Sequence, residues 1–581
     1  MTHRPFSVWA PKARRVDFVA AGGRQPMDAA EGGWWRLRSD PPPGEIDYAF
    51  SLDGGEPLPD PRAPRLPQGV GGPARTVDHL AFAWSDARWQ PPPLSSAIVY
   101  ELHVGTFSAA GTFEGAIEHL GALAELGVTH VELMPVNSFP GARGWGYDGV
   151  GLFAPHEPYG GPEGLKRFVD AAHARGLAVL LDVVYNHLGP AGNHLARFGP
   201  YFTDRHRTPW GDALNLDGPG SDEVRRFLLD NALAWLRDYH VDGLRIDAVH
   251  ALLDASATHF LAELRDAVDA LVAQRGRHAV LVAESDLNDP RVVLPREAGG
   301  LGMDAQWSDD FHHALHALLT GERRGYYADF GRIAHLAKAF ESVFVYDGGF
   351  APHRGRRHGA PPRGLSAHRF LGYLQTHDQV GNRAFGERSA ALLPPARLAM
   401  GAALVLLAPF VPMLFQGEEW AASSPFLYFT DHADPELGRA IREGRRREFP
   451  ELHEGADDVP DPQAKESFER SRLDWSERAR EPHAALLDWH RRLIALRRSI
   501  PALADGSPGA ARVRFDETAR WLCVARGPVR IACNLAAAEQ WIPLQGEGRG
   551  SLQLAWPAPP AFSDGGVRLA PDGVAVVCMD A

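Results

Sequence analysis

Cysteine is scarce: three in 581 residues, Cys523, Cys533 and Cys578, all late in the chain. An odd number with no CxxC pair excludes a disulfide framework and favours buried free thiols in a reducing compartment. Long apolar runs are missing too. No stretch reaches the ~18 uninterrupted apolar residues of a membrane span. Residues 398–415 come nearest, and two prolines break them into what reads as a buried helix followed by a buried strand. The opening residues, MTHRPFSVWAPKARR, carry neither an apolar h-region nor a small-residue cleavage site. No secretory leader is legible, and a cytoplasmic location is expected. Positive charge is in deficit, with 60 Lys and Arg against 73 Asp and Glu and a formal net charge of −13. That removes the attraction on which sequence-independent nucleic-acid binding rests. No P-loop, dinucleotide fingerprint or serine nucleophile elbow stands in a convincing context.

What is present describes a folded protein with a sizeable core: 45% apolar and 23% charged residues. At ~100–200 residues per domain the chain holds three or four domains. Fifteen Trp against seven Met is a bias towards indoles, which stack well on sugar faces. Residues 1–92 alternate short β-rich runs with Gly, Pro and Asp turns and read as a β-sandwich. The adjacent Trp34 and Trp35 face opposite ways in a strand, so at most one is a sugar platform. Pro91, Pro92 and Pro93 then read as a stiff hinge. Across 93–500 eight apolar strands (98–103, 128–136, 178–187, 243–249, 279–285, 303–308, 370–378 and 411–418) alternate with amphipathic helices, among them 112–126, 163–175, 222–239, 258–274 and 395–407. Strands buried on both faces and joined by helical crossovers make a parallel sheet. The fold class is therefore α/β, most simply a (β/α)8 TIM barrel with inserted loops, a doubly wound open sheet being the alternative. After a last helix near 483–498, residues 501–581 return to short strands and form a C-terminal β-domain.

Polar residues interrupt these strands mainly at their C-terminal ends: DVVYNH (182–187), GLRIDAVH (243–250), AESD (283–286) and QTHDQ (375–379). In a barrel all eight such ends converge on the face that carries the active site. One Asp at a strand end is commonly a helix cap, and one histidine such as His187 is commonly a core residue. Unpaired charges gathered on one buried rim are costly, however, and the joint pattern resists a structural explanation. Arg245 and Asp247 stand two apart and share a strand face, while Ile246 points at the helices. Two carboxyls in different environments at adjacent strand tips suit glycoside cleavage, one attacking the anomeric carbon and one protonating the leaving oxygen. Asp247 and Glu284 are the natural pair, with Glu284 expected in the less solvated site. Asp378 comes from across the mouth, and Arg245 keeps Asp247 ionised. His312, His313 and His316 have helical spacing suited to a metal but no accompanying ligand motif. The arginine runs at 354–357 and 445–447 read as solvated loops.

These four stretches resemble, in order and spacing, the signature regions of the α-amylase family, glycoside hydrolase family 13, over roughly residues 98–500. The resemblance implies Asp247 as nucleophile, Glu284 as acid/base and Asp378 as transition-state stabiliser. It implies sugar-binding roles for His187, Arg245 and His377, and for Tyr147 a stacking role against the glucose at the cut. Asn186 falls where many members place calcium; the branch resembled here generally lacks the ion, so no metal and no cofactor is implied. Within the family, DAVH (247–250), ESDLN (284–288), QTHDQVGNR (375–383), FQGEEW (415–420), PFLYFTDH (425–432) and FERSRLDW (468–475) are most similar to the branch that cuts the α-1,4 bond next to the terminal trehalose of maltooligosyltrehalose. That implies maltooligosyltrehalose or other α-glucan oligosaccharides as substrate, with His250 and Asp286–Asn288 reading the leaving trehalose. Glycogen branching, generic α-1,4-glucan hydrolysis and a non-catalytic binding role are the competing expectations. Loss of a carboxylate would mark the last, and all three carboxylates are present.

Overall fold

Eight short strands pair in parallel and close on themselves: β1 (Val99–Leu102), β2 (His130–Leu133), β3 (Ala178–Val183), β4 (Gly243–Ile246), β5 (Val280–Ala283), β6 (Ala305–Trp307), β7 (Phe370–Gly372) and β8 (Val411–Phe415). The last pairs with the first, Met413 opposite Val99, which excludes the open-sheet alternative. The computed structural model describes residues 6–39, 44–362, 364–448, 459–544, 550–563 and 565–580. Among the described residues no helix is long and apolar enough to cross a membrane.

Alternation along the strands separates two cores. Val99, Leu180, Val280, Val282, Ala305, Trp307, Leu371, Tyr373, Val411 and Met413 fill the barrel interior. The intervening residues, Leu181, Leu244, Ile246 and Leu281 among them, meet the helices. That outer layer includes α1 (Gly161–His173), α2 (Ser221–Asp238), α3 (Phe260–Arg275), α4 (Asp309–Thr320), α5 (Pro395–Leu406), the outlying α6 (Pro435–Glu448) and α7 (His483–Ser499). The helix read over 112–126 is two, Phe113–Ile117 and Leu120–Leu126. The strand read over 370–378 stops at Gly372. Thr376 there accepts the backbone N–H of Asp378 in a capping box with Gln379, and His377–Gly381 turns helical. The eighth strand likewise ends at Phe415, ahead of a 3-10 turn at Glu418–Trp420.

On the N-terminal side a three-stranded and a five-stranded antiparallel sheet lie between Ser7 and Arg75. Trp34 and Trp35 are both half-buried against their core, with the Trp35 indole N–H on the Ala10 carbonyl and Arg62 over Trp34. The segment before the prolines is fastened, contrary to the hinge reading. Trp84 stacks on His240 at 3.8 Å and Trp89 on His173 at 4.6 Å. His173 bridges Asp86 and Asp242 at 2.9 and 2.8 Å. A five-stranded and a three-stranded sheet lie between Arg512 and Met579. Buried Arg526, on the five-stranded sheet, donates to the Leu407 carbonyl of the barrel and to the carbonyls of Ala502, Leu503 and Asp505 in the connecting segment. The fold is thus a TIM barrel with β-domains at both ends.

Candidate active site

At the C-terminal ends of the strands one guanidinium gathers the carboxylates. Arg245 is the penultimate residue of β4 and faces the barrel axis, its side chain 3% exposed. Its Nη1 donates to both oxygens of Asp182, at 2.9 and 2.8 Å, and to Asp247 Oδ1 at 2.7 Å. Nη2 lies 3.8 Å from Glu284 Oε2, and the guanidinium sits 4.3 Å above the Trp307 ring. The other Asp247 oxygen accepts from Asn186 Nδ2 at 2.8 Å, so both of its oxygens have fixed donors. Asn186 turns its own Oδ1 to His187 Nδ1 at 2.6 Å, and the amide sits inside the carboxylate cluster. Burial raises the Asp182 carboxyl to about 6, against the pull of Arg245.

Glu284, just beyond β5, is held by the backbone N–H of Ala248 at 2.7 Å. Ala248 has φ +40, a left-handed conformation that costs a non-glycine residue energy, and this kink follows Asp247 directly. Burial pushes the Glu284 carboxyl well above the usual range; Arg245 opposes the rise and Asp247, Asp309 and Asp378 add to it. The expected order of exposure is reversed: the Glu284 side chain is 20% exposed and that of Asp247 11%. Asp247 lies deeper because Arg245 and Asn186 draw it inward.

Tyr147 donates to Asp182 Oδ2 at 2.7 Å and lies 2.8 Å from His377 Nε2. The other His377 nitrogen meets Glu101, an inward residue of β1. Burial disfavours the charged imidazole, but the charge and hydrogen bond of Glu101 outweigh it and raise the His377 pKa. Trp145 packs against the helix that carries His377 and Asp378. A Cβ on Gly381 would come within 2.0 Å of its indole, so only glycine fits there. His187 is stacked on Trp210 at 4.7 Å and 12°, and Trp210 remains 49% exposed.

Asp247, Glu284, Asp378, Tyr147, His187, Arg245, His250, Asp286 and His377 all line one cleft of about 600 Å³. His250 is exposed at its rim and is shared with a second cavity of about 510 Å³. Asp286 pairs with Arg354 at 2.9 Å. Asn288 does not reach the cleft: it is 2% exposed and its amide donates to Asp310 and the Tyr346 carbonyl. Its φ of +52 turns the side chain into the loop.

One arginine in each run departs from the solvated reading, while Arg356, Arg357, Arg446 and Arg447 are exposed as expected. Arg354 and Arg356–Arg357 belong to a small hairpin beside the cleft, where Asp286 holds Arg354. Residues 445–447 end α6, where Arg445 is hydrogen-bonded and lines the cleft. The three histidines of α4 pack around the Tyr327 ring, where His312 meets the Tyr327 hydroxyl and His316 meets Glu322. Among the described residues no group of three or more His, Cys, Asp or Glu is arranged to hold a metal. Sequence reasoning missed Glu101, Asp182, Trp210, Asp309, Asn382, Arg354 and Arg445. Asp182 was within reach, since it precedes His187 in the same stretch and stands opposite Arg245 in the β3–β4 register.

The family description "Alpha amylase, catalytic domain" matches residues 82–199. A malto-oligosyltrehalose trehalohydrolase from Arthrobacter ramosus is 50% identical over all of both chains. A 1,4-alpha-glucan branching enzyme from Vibrio parahaemolyticus is 35% identical but aligns with 53% of this chain and 46% of its own. Among solved structures, a putative alpha amylase from Salmonella typhimurium superposes with a TM-score of 0.90 at 38% identity, covering 99% of this chain and 97% of its own. Full-length likeness of that order is a family relation, and the chain belongs to the malto-oligosyltrehalose trehalohydrolases of the α-amylase family.

Proposed function

We propose that this enzyme hydrolyses the α-1,4-glucosidic bond next to the terminal trehalose of maltooligosyltrehalose with retention, releasing trehalose and a maltooligosaccharide. The observation that carries the chemistry is the unlike treatment of two neighbouring carboxyls. Asp247 has a donor on each oxygen, from Arg245 and Asn186, which fixes the direction in which its carboxylate meets the anomeric carbon. Glu284 is raised by burial and neighbouring carboxylates, which keeps a proton ready for the leaving oxygen. Asp247 attacks as the C–O bond breaks, Glu284 gives its proton to the departing oxygen, and a covalent glycosyl-enzyme forms. Glu284 then takes a proton from water, and that water displaces Asp247 from the anomeric carbon. Asp378 holds sugar hydroxyls and favours the oxocarbenium-like transition state. His187, His377 and Arg245 bind the glucose at the cut, and Tyr147 stacks on it.

The choice of trehalose rests on the leaving-group side, beyond Glu284. The Asp286–Arg354 pair and His250 supply polar groups there. Groups placed to bond a 1,1-linked glucose are left unpaired by plain maltose, and such mismatches penalise the wrong substrate strongly. A cytoplasmic site of action, supported by the three free cysteines, belongs to the same reading. The test is side-by-side kinetics on maltooligosyltrehalose and a maltooligosaccharide of equal length, with amylose as a third arm. A much higher kcat/KM on the first, with intact trehalose as product, is expected. Equal rates would reduce the protein to a general α-1,4-glucan hydrolase, and α-1,6 branches without trehalose would make it a branching enzyme.

A further inference from the structure

Asp378 stands exposed at the barrel mouth, near the start of the short helix His377–Gly381. Its carboxylate has one hydrogen-bond partner among the described residues, Asn382 Nδ2, 2.7 Å from Oδ1. A side-chain amide can present either its NH2 or its oxygen, and only the NH2 end holds a carboxylate. Arg445 decides which end faces Asp378. From α6, an element outside the eight-fold repeat, its Nη1 donates to Asn382 Oδ1 at 2.7 Å and its Nη2 to the Gly381 carbonyl. A guanidinium has five donors and no acceptor, so the amide end it meets is oxygen and the NH2 is left for Asp378. The Tyr428 ring, 5.1 Å from the guanidinium carbon, backs the arginine in place. Arg445, Asn382, Tyr428 and Asp378 all line the cleft.

We propose that Arg445 is a positioning residue for Asp378, acting through Asn382. The inference rests on the role proposed above for Asp378. With the guanidinium in place, the carboxylate is held in one direction before substrate arrives. Without it the amide loses its anchor and is free to rotate or withdraw, and the carboxylate it holds is no longer fixed in one direction. Misplacement of a group that works in the transition state lowers kcat, whereas ground-state binding by the rest of the cleft persists. A mere tether for α6 over the cleft would behave otherwise, loosening substrate binding and leaving turnover of bound substrate intact.

The test uses the full-length enzyme and the variants Arg445→Ala, Arg445→Lys, Asn382→Ala and the Ala/Ala double variant, each with a thermal melt. Two substrates are compared, the oligosaccharide that the wild type cleaves best and a maltooligosyl fluoride whose departure needs no proton. Arg445→Ala is expected to lower kcat about 10–100-fold on both substrates with KM within about threefold. Asn382→Ala should match it, the double variant should lose no more than either single one, and Arg445→Lys, a single-point donor, should recover part of kcat. A raised KM with native kcat, additive losses in the double variant, or no loss at all would each overturn the proposal. Asp378→Asn is the control for the underlying reading: near-native kcat there removes the role of Asp378 itself, and with it the reason for positioning it.

Discussion

Replacing Arg245 by Met is the most direct test of how the site is held together. The guanidinium is 3% exposed, and its partners Asp182 and Asp247 are 2% and 11% exposed. Removing one partner of a buried ion pair typically costs about 3–5 kcal/mol, because the remaining charge is left without compensation. Here at least two carboxylates lose their cation, so the upper part of that range is expected. The pH dependence follows from Asp182. Its folded pKa of about 6 lies above the ~3.9 of an unfolded aspartate. Such a group costs the folded state stability as pH rises through that interval, and Arg245 limits the cost. Without Arg245 the folded pKa moves higher still, and the cost goes on growing above pH 6, where in the wild type it has levelled off. Urea unfolding followed by circular dichroism should therefore show a smaller loss at pH 5 than at pH 8. Arg245→Lys keeps the charge but not the multiple donors and should lose about 2 kcal/mol at pH 8. A loss for Arg245→Met that is the same at both pH values, or below about 1 kcal/mol, would refute the electrostatic account.

Other outcomes follow from the same geometry. Activity should fall as pH rises through the raised Glu284 pKa, because the acid must carry its proton; Glu284→Gln should abolish that alkaline limb and hurt natural glycosides far more than a glycosyl fluoride, equal losses on both being the contrary result. Asp247→Ala should retain the fold and lose nearly all turnover, and mass spectrometry of a trapped glycosyl-enzyme should find the sugar on Asp247 and on no other side chain. Trp210→Ala removes the exposed indole that stacks on His187, and KM should rise about 3–10-fold with kcat little changed. Arg354→Ala frees the Asp286 carboxylate and should cut the preference for maltooligosyltrehalose over maltooligosaccharide at least about tenfold; an unchanged preference would move trehalose recognition elsewhere.

What the sequence made legible follows from periodicity. A strand buried on both faces has to be apolar throughout, so the charged residues that break it announce themselves, and position along the strand gives the side they face. That logic found Arg245 and Asp247 on one face with Ile246 on the other, and the contacts agree. It does not give depth, which is why Glu284 was expected to be the less solvated of the two carboxyls: how far each side chain is drawn inward depends on donors from other strands. Nor does it reach residues whose meaning lies in a partner far along the chain. Arg354 and Arg445 sit in arginine runs indistinguishable in composition from a solvated surface. What separates them is Asp286, 68 residues away in sequence, and Asn382, 63 residues away. Trp210 lies in a hairpin loop with no period to mark it. Asn288 was misjudged for the opposite reason: its polar side chain follows a catalytic stretch, but a left-handed backbone turns it into the loop. The barrel brings residues at strand ends together by rule, whereas the residues that distinguish one member of such a fold from another arrive on loops and extra helices, where only the assembled structure pairs them.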